Sequence, residues 1–134
     1  MVFKMLKSTK RSIGLVAALG LGVVGSANAV EIQKELLIKY QNKNIVECVA
    51  KFSFCQTSEI IKRADVLLCC DGGLMHASNS VGTAIIPLFA RLTPAMQLTQ
   101  AVEAYTLFDK DDVNNIGYES VVNEYKEYLK KSKQ

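Results

Sequence analysis

Short apolar runs alternate with amphipathic stretches along most of this chain. Runs typical of buried strands lie at 45–50, 66–70, 83–89 and, more weakly, 105–108. Helix-like stretches lie between these runs, and strands that alternate with helices at this spacing form βαβ units. The pattern therefore predicts an α/β fold, in which helices flank a parallel sheet. Pro87 removes a donor from the sheet ladder, so we expect the 83–89 strand to be short or bulged there.

Capping residues predict where the helices begin and end. Ser53 and Gln56 form a capping box ahead of a helix that ends near Arg63. Gly82 is the expected C-cap of a helix over 74–81, because glycine readily adopts the left-handed backbone found at that position. The last predicted helix covers 118–131 and carries Val121, Val122, Tyr125, Tyr128 and Leu129 on its inner side.

The amino-terminal residues fit two interpretations, of which the first is a secretory signal. Basic residues precede position 12, an apolar glycine-rich run follows over 13–25, and small residues occupy 26–29. These features match the n-region, h-region and cleavage site of a signal peptide, which would include residues 12–29. The apolar run is too short and too rich in glycine for a convincing transmembrane span.

The second interpretation is a buried strand at about 12–19, followed by a glycine-rich turn and a helix that begins near Asn28. Asn28 and Glu31 resemble a capping box. The apolar face of that helix would carry Ile32, Leu36, Leu37 and Tyr40. A strand at 12–19 would complete the sheet predicted downstream, so the regular pattern favours retention. On this basis we expect a basic segment over 1–11 and one domain over 12–134.

Composition and charge narrow the possible functions. The chain has 134 residues, of which 49% are hydrophobic and 22% charged, as expected for one folded domain. The formal net charge of +3 arises from the basic residues before position 12, and the rest of the chain has a slight acidic excess. No basic face interleaved with aromatic residues follows them, which argues against nucleic-acid binding.

The clearest candidate site follows the 66–70 run. The sequence there reads Asp71-Gly72-Gly73-Leu74-Met75-His76. A strand that breaks at two glycines and enters a helix brings backbone N–H groups and the positive helix end to one point, which suits a phosphate. Asp71 and His76 would flank this anion site. An ordinary tight turn is the alternative interpretation of the paired glycines.

Residues 13–129 resemble the carboxy-terminal domain of glycosyltransferase family 9, the ADP-heptose:lipopolysaccharide heptosyltransferases. The resemblance is greatest over the segment ADVLLCCDGGLMHASNSVGTAIIPLFA. The family has the motif D-S/G-G-x-x-H-x-A at the end of a strand, then a helix, then a strand that ends in a phenylalanine-glycine turn. The matching residues are Asp71, Gly73, His76 and Phe89, with Gly72 as a permitted variant. The departures are Ala90 for the turn glycine, Thr83 for a usual proline and Ala50 for a usual glycine.

The resemblance implies a GT-B architecture, in which two Rossmann-like domains face each other and this chain is the donor-binding one. It implies inverting transfer, without a metal or other cofactor, from an ADP-sugar such as ADP-heptose to a lipopolysaccharide core acceptor at the membrane face. Gly72 and Gly73 would offer N–H groups to the diphosphate. Asp71 would hydrogen-bond sugar hydroxyls, and His76 would lie near the phosphate or sugar. Residues 74 and 75, which lie between the glycine pair and His76, would pack the helix into the core.

The resemblance also places a separate amino-terminal acceptor domain, with its carboxylate base, ahead of this segment. We therefore expect no catalytic residue in this chain, which would be a partial enzyme with little transferase activity alone. Its expected location is the cytoplasm, peripheral to the inner membrane. Two alternatives remain open, an exported periplasmic or surface binding protein cleaved after Ala29 and a non-catalytic remnant or interaction module.

Cysteines and aspartates elsewhere favour structural roles. Cys48, Cys55, Cys69 and Cys70 lack C-x-x-C spacing, which argues against zinc. The adjacent pair at 69 and 70 would be buried free thiols that face opposite ways, although four cysteines could form two disulfides in an exported protein. Asp109, Asp111 and Asp112 lack the glycine and distal glutamate of an EF-hand, so they predict a solvated turn.

Overall fold

A six-stranded sheet forms the centre of the molecule. A computed structural model describes residues 2–7, 13–19, 45–47 and 52–134, the first three ranges as backbone strands. The strands are β1 (Val2–Lys7), β2 (Ile13–Leu19), β3 (Ile45–Glu47), β4 (Ala64–Cys70), β5 (Ala84–Ala90) and β6 (Leu107–Asp109). Their spatial order is β3-β1-β2-β4-β5-β6. The strands β2, β4, β5 and β6 run parallel, whereas β1 pairs antiparallel with both β2 and β3.

Helices connect and flank the parallel strands, which confirms the predicted α/β class. They are α1 (Phe54–Lys62), α2 (Gly73–Val81), α3 (Pro94–Gln97) and α4 (Tyr118–Lys131), with a 3-10 turn at Val113–Asn115. The unit β4-α2-β5 gives the Rossmann-like pattern of strand, crossover helix and neighbouring parallel strand. Among the described residues, no helix is both long and apolar enough to cross a bilayer.

The strand predicted near 12–19 is present as β2, and it lies between β1 and β4. Its parallel register sets Leu15 beside Val66 and Ala18 beside Cys69. The basic segment over 1–11 contains an additional strand, β1, which its n-region-like charge pattern did not predict. The helix expected from Asn28, the small residues at 26–29 and Ala50 lie outside the described residues. Cleavage after position 29 therefore stays a prediction.

The predicted helix caps are confirmed. Gln56 N–H donates to Ser53 Oγ at 3.3 Å, and Ser53 N–H donates to Gln56 Oε1 at 2.9 Å, so both bonds of the capping box are formed. The C-cap of α2 is Gly82, with a left-handed φ of 78°, and its N–H donates to Ser78 O. These local bonds fix the ends of two helices that pack on the same face of the sheet.

Two apolar layers cover the two faces of the sheet. One layer packs α1 and α2 on the sheet and contains Ile61, Leu67, Cys69, Leu74, Met75, Ala77, Ile85 and Phe89. The other contains Val66, Ile86 and Tyr105, against which Tyr125 and Tyr128 of α4 pack. The predicted inner face of α4 is wrong at Val122, which is 42% exposed. The remaining predicted inner residues of α4 are only half-buried.

Pro87 does not interrupt its strand, so the expectation of a short or bulged strand is wrong. The register of β4 and β5 continues through Pro87, which pairs with Cys69. Ile85 N–H donates to Glu103 O and Ile85 O accepts from Tyr105 N–H, so alternate residues of β5 direct their backbone groups away from β4. Pro87 is the next residue of β5 whose backbone groups point away from β4. It lies between the isolated Ile85–Ala104 bridge and Leu88, where the pairing of β5 with β6 begins. The backbone N–H that Pro87 lacks would therefore point away from β4, to the side where β5 is not yet paired with β6.

Candidate functional site

The candidate site begins where β4 ends, at the carboxyl edge of the parallel strands. Asp71 follows directly after β4, and its N–H donates to Leu88 O of β5 at 3.1 Å. This bond extends the β4–β5 ladder by one position beyond Cys70, which pairs with Leu88. Asp71 is half-buried and is fixed beside β5 by its backbone. Ligands of open α/β sheets commonly bind at this edge.

The glycine pair makes the turn from strand to helix without a linker. Gly72 has φ 132° and ψ −159°, a backbone region that is essentially restricted to glycine. A Cβ built on Gly72 or on Gly73 would meet no atom of the described residues within 4 Å, so these residues leave the space beside both glycines open. Both glycines are exposed. The turn thus presents bare backbone at the edge of the sheet.

The amino end of α2 has no side-chain cap. Gly72 is the N-cap residue and has no side chain to offer, and the first helical bond runs from His76 N–H to Gly72 O at 3.2 Å. The N–H groups of the preceding turn have no partner within the helix. Leu74 and Met75 are buried at 6% and 0% exposure, as predicted for residues that seat the helix. The backbone donors therefore sit on a well-anchored helix end with a positive dipole.

Asp71 and His76 flank this helix end with polar side chains. His76 is exposed in the first turn of α2, and helical side chains incline towards the amino end of their helix. Within residues 52–134, no hydrogen bond or ion pair engages the side chain of Asp71 or of His76. The four predicted site residues are therefore brought together around one open turn, with both side chains available to a ligand.

Arg91 is a neighbour of this site that the sequence did not single out. It follows β5 with φ 69°, and Leu92 N–H donates to Ala90 O across it at 2.8 Å, which is the geometry of a γ-turn. The residue that replaces the family's turn glycine, Ala90, lies inside β5 and carries no strain. The left-handed residue of this turn is Arg91. An arginine directly after a predicted strand was the available sequence signal.

Thr83 has a structural role that a proline could not supply. It is 4% exposed, and its Oγ1 donates to Ile61 O at 2.8 Å, near the end of α1. Its N–H also donates to Ser78 O of α2 at 3.2 Å. Proline has neither donor, so the departure from the family residue adds two bonds that join α1, α2 and β5.

The acidic segment after β6 forms the solvated turn that the sequence predicted. Asp109 Oδ1 accepts from the N–H groups of Asp111 and Asp112 at 2.8 and 2.9 Å and from Asn115 Nδ2 at 3.1 Å. These bonds lower the pKa of Asp109, the backbone bond from Asp112 most of all. Asp112 in turn caps the 3-10 turn through Asn114 N–H. Across the described part of the chain, no group of three or more acidic, cysteine or histidine residues could hold a metal ion.

The described cysteines are free thiols. Cys69 is 1% exposed, and burial, followed by the neighbouring Cys70 and Asp71, raises its pKa to about 12. Burial and then Asp71 also raise the pKa of the half-buried Cys70. Cys55 is exposed on α1. The prediction of buried free thiols is confirmed at Cys69, whereas Cys70 is free but only half-buried, and Cys48 lies outside the described residues.

Comparison with known proteins supplies a family match. The family model described as glycosyltransferase family 9 (heptosyltransferase) matches residues 18–112. Searches of the curated proteins and of the solved structures each gave no match. The matched range covers well over half of the chain and includes the whole strand, glycine turn and helix of the candidate site.

Proposed function

Because the chain belongs to glycosyltransferase family 9, we propose that it binds a nucleotide-sugar donor, with the diphosphate at Gly72 and Gly73. Membership of this family implies a glycosyltransferase-like function, with a nucleotide-sugar donor and a sugar acceptor in general. The uncapped, glycine-led amino end of α2 is the observation that supports donor binding. It offers open backbone N–H groups and a positive dipole at the sheet edge where such ligands bind.

The same geometry suits the chemistry of a departing diphosphate. Negative charge on the leaving group increases as the bond to the sugar breaks, and fixed N–H groups stabilise such charge without reorganisation. A helix end can supply this stabilisation without a metal ion. We assign the N–H groups at Gly72 and Gly73 to the diphosphate, Asp71 to sugar hydroxyls and His76 to the phosphate or the sugar.

The finer proposal is a heptosyltransferase-type reaction of lipopolysaccharide core biosynthesis. The donor would be an ADP-heptose-like sugar, and the acceptor a lipopolysaccharide core presented at the cytoplasmic face of the inner membrane. The acceptor and the carboxylate base would be held by a second Rossmann-like domain, on the same polypeptide or on another chain. No residue described here is assigned as the base, so donor binding is the activity proposed for this chain.

We place the protein in the cytoplasm with its amino terminus retained. Strand β2 pairs with β1 on one side and with β4 on the other, so cleavage after Ala29 would remove two strands from the sheet. That pairing supports retention over the exported alternative. Amino-terminal sequencing of the protein from its native host is expected to find residues before Val30, and a mature protein that begins at Val30 would contradict this placement.

Isothermal titration of the full chain with ADP and with ADP-heptose tests donor binding. Two glycines with positive φ provide a matched pair of variants, because an alanine Cβ has open space at both. Gly72→Ala is expected to destabilise the fold by about 1–3 kcal/mol and to weaken ADP binding roughly tenfold or more, since the turn is forced out of its glycine-only conformation. Gly82→Ala, at the far end of α2, should cost about 1–2 kcal/mol of stability.

The comparison of these variants separates binding from folding. Measured below the unfolding range, Gly82→Ala is expected to bind ADP as tightly as the wild-type chain. Equal binding by Gly72→Ala would contradict the assignment of this turn to the diphosphate. A folded wild-type chain that binds neither ADP nor ADP-heptose would contradict the proposed function and favour a non-catalytic remnant.

A further inference from the structure

The carboxyl edge of the parallel strands is rich in negative charge, which is unfavourable for a diphosphate. Asp71 follows β4, and Asp109, Asp111 and Asp112 end or follow β6. Like charges repel, and the diphosphate of a nucleotide sugar is itself anionic. An uncapped helix end contributes only about half of an elementary charge. A side-chain cation near the glycine pair would therefore strengthen the binding of a diphosphate.

Two described cations follow the parallel strands at this edge, and they differ in availability. Lys110 lies in the acidic turn after β6, where its Nζ is 3.7 Å from Asp111 Oδ2. Arg91 follows β5 and is exposed, and within residues 52–134 no ion pair engages its guanidinium. Of these two cations, Arg91 is thus the one without an ion pair among the described residues.

The register of the sheet brings Arg91 close to the glycine turn. Cys70 pairs with Leu88, and Asp71 N–H donates to Leu88 O. Extending this register sets Gly72 opposite Ala90, with Arg91 as the next residue. Neighbouring strands lie about 5 Å apart, so the long side chain of Arg91 can reach a group bound at the turn.

The γ-turn fixes the direction in which Arg91 leaves β5. Left-handed backbone at a residue other than glycine costs roughly 1–2 kcal/mol, and this chain has an arginine where a glycine would be free of that cost. The turn also ends β5 directly beside the candidate site, because Leu92 N–H returns to Ala90 O. The backbone therefore holds the base of the arginine side chain at one place along the edge.

We propose that Arg91 binds the diphosphate of the nucleotide-sugar donor and is the cation of this site. A guanidinium can donate two parallel N–H bonds to phosphate oxygens and remains charged at any physiological pH. It would complement the N–H groups of the glycine turn from the β5 side and offset the repulsion from Asp71. The inference rests on the proposed donor binding and names the side chain that strengthens it.

Three variants test the proposal by isothermal titration with ADP over a range of NaCl concentrations. Arg91→Gln removes the charge at similar length, Arg91→Gly removes the charge and the left-handed strain, and Lys126→Gln removes one exposed charge on α4. Both Arg91 variants are expected to bind ADP roughly tenfold more weakly, with a shallower dependence on salt. Lys126→Gln should match the wild-type chain.

Stability separates this role from a merely structural one. Arg91→Gly should unfold at a higher urea concentration than the wild-type chain, because the strain is relieved, even though it binds ADP more weakly. Wild-type affinity in Arg91→Gln would overturn the proposal and leave donor binding intact. Absence of ADP binding by the folded wild-type chain would overturn donor binding, and the assignment of Arg91 with it.

Discussion

Adjacent polar residues on α2 differ in how well their side chains are satisfied. Ser78 is fully buried, and its Oγ donates to Thr83 O at 2.8 Å, so its hydroxyl closes the turn into β5. The side-chain amide of Asn79 has both polar atoms buried, and within the described part of the chain neither has a hydrogen-bond partner. A buried amide without partners keeps its desolvation cost and gains no bond in return.

Removing the amide of Asn79 should therefore stabilise the fold. Asn79→Ala is expected to raise the free energy of unfolding by about 1 kcal/mol, because it deletes an unsatisfied group and alanine is the better helix former. Ser78→Ala, one residue away, should lower it by about 1–3 kcal/mol, because Thr83 O loses its donor. Urea denaturation of both variants measures these changes. A loss of stability in Asn79→Ala would show that its amide has a partner in solution.

Helix α1 depends on bonds formed within its own first turn. Its capping box joins Ser53 and Gln56 by two reciprocal hydrogen bonds, and both residues are exposed, so no tertiary contact is needed to form it. Helix α2, in contrast, begins at a glycine that offers no cap. The two helices pack side by side on the same face of the sheet, and only the one at the candidate site leaves its amino end open.

Serine-to-alanine changes at the N-cap of α1 and within α1 should differ in their effect on stability. Ser53→Ala is expected to lower the free energy of unfolding by about 1 kcal/mol, because the N-cap oxygen is lost. Ser58 bonds only to Phe54 O within the helix, so Ser58→Ala should leave stability unchanged or raise it by up to about 0.5 kcal/mol. Thermal and urea unfolding compare the two variants. Equal losses in both would argue that the box does not stabilise α1.

Helix α4 joins the sheet through a cluster of tyrosines and charges. Tyr105 OH donates to Glu103 Oε1 at 2.6 Å, and Lys131 Nζ lies 3.3 Å from the same oxygen and 5.0 Å from the Tyr105 ring centre. Tyr128 packs edge-on against Tyr105 and donates from its OH to Asp65 O at 2.9 Å. These contacts connect the end of the chain to strands far from it in sequence.

This cluster predicts a loss of stability in alkali. Burial and then the bond to Glu103 raise the pKa of Tyr105 above its ordinary value of 10.0. A raised pKa means that the stabilisation is complete below pH 10 and is lost as the pH rises from there towards the folded value. Urea unfolding between pH 9 and 11 should therefore show a declining free energy. Tyr105→Phe should start lower and decline less steeply with pH.

A tyrosine on the exposed side of α4 is the matched control. Tyr118 is 75% exposed, so Tyr118→Phe changes the same functional group away from the cluster. It is expected to keep both the stability and the pH slope of the wild-type chain. A wild-type slope in Tyr105→Phe would show that this hydroxyl is not the group responsible.

The elements that the sequence predicted most accurately are those with local causes. The capping box at Ser53, the C-cap at Gly82 and the helix over Tyr118–Lys131 depend on residues a few positions apart, and the structure confirms all three. The sequence did not predict strand β1 or the exposure of Val122, because each depends on which segments of the chain pack beside it. Pro87 was misjudged for the same reason, since its tolerance depends on a gap in the neighbouring ladder.

The residues of the candidate site show the same difference between local and tertiary causes. The sequence determined the glycine turn with its flanking Asp71 and His76, because one short segment contains the strand end, the turn and the helix start. Tertiary structure decided that Arg91 lies beside that turn, because strand register joins segments distant in sequence. Local hydrogen bonds and backbone preferences can be inferred from neighbouring residues, whereas the charge around a bound ligand depends on the packing of the whole sheet.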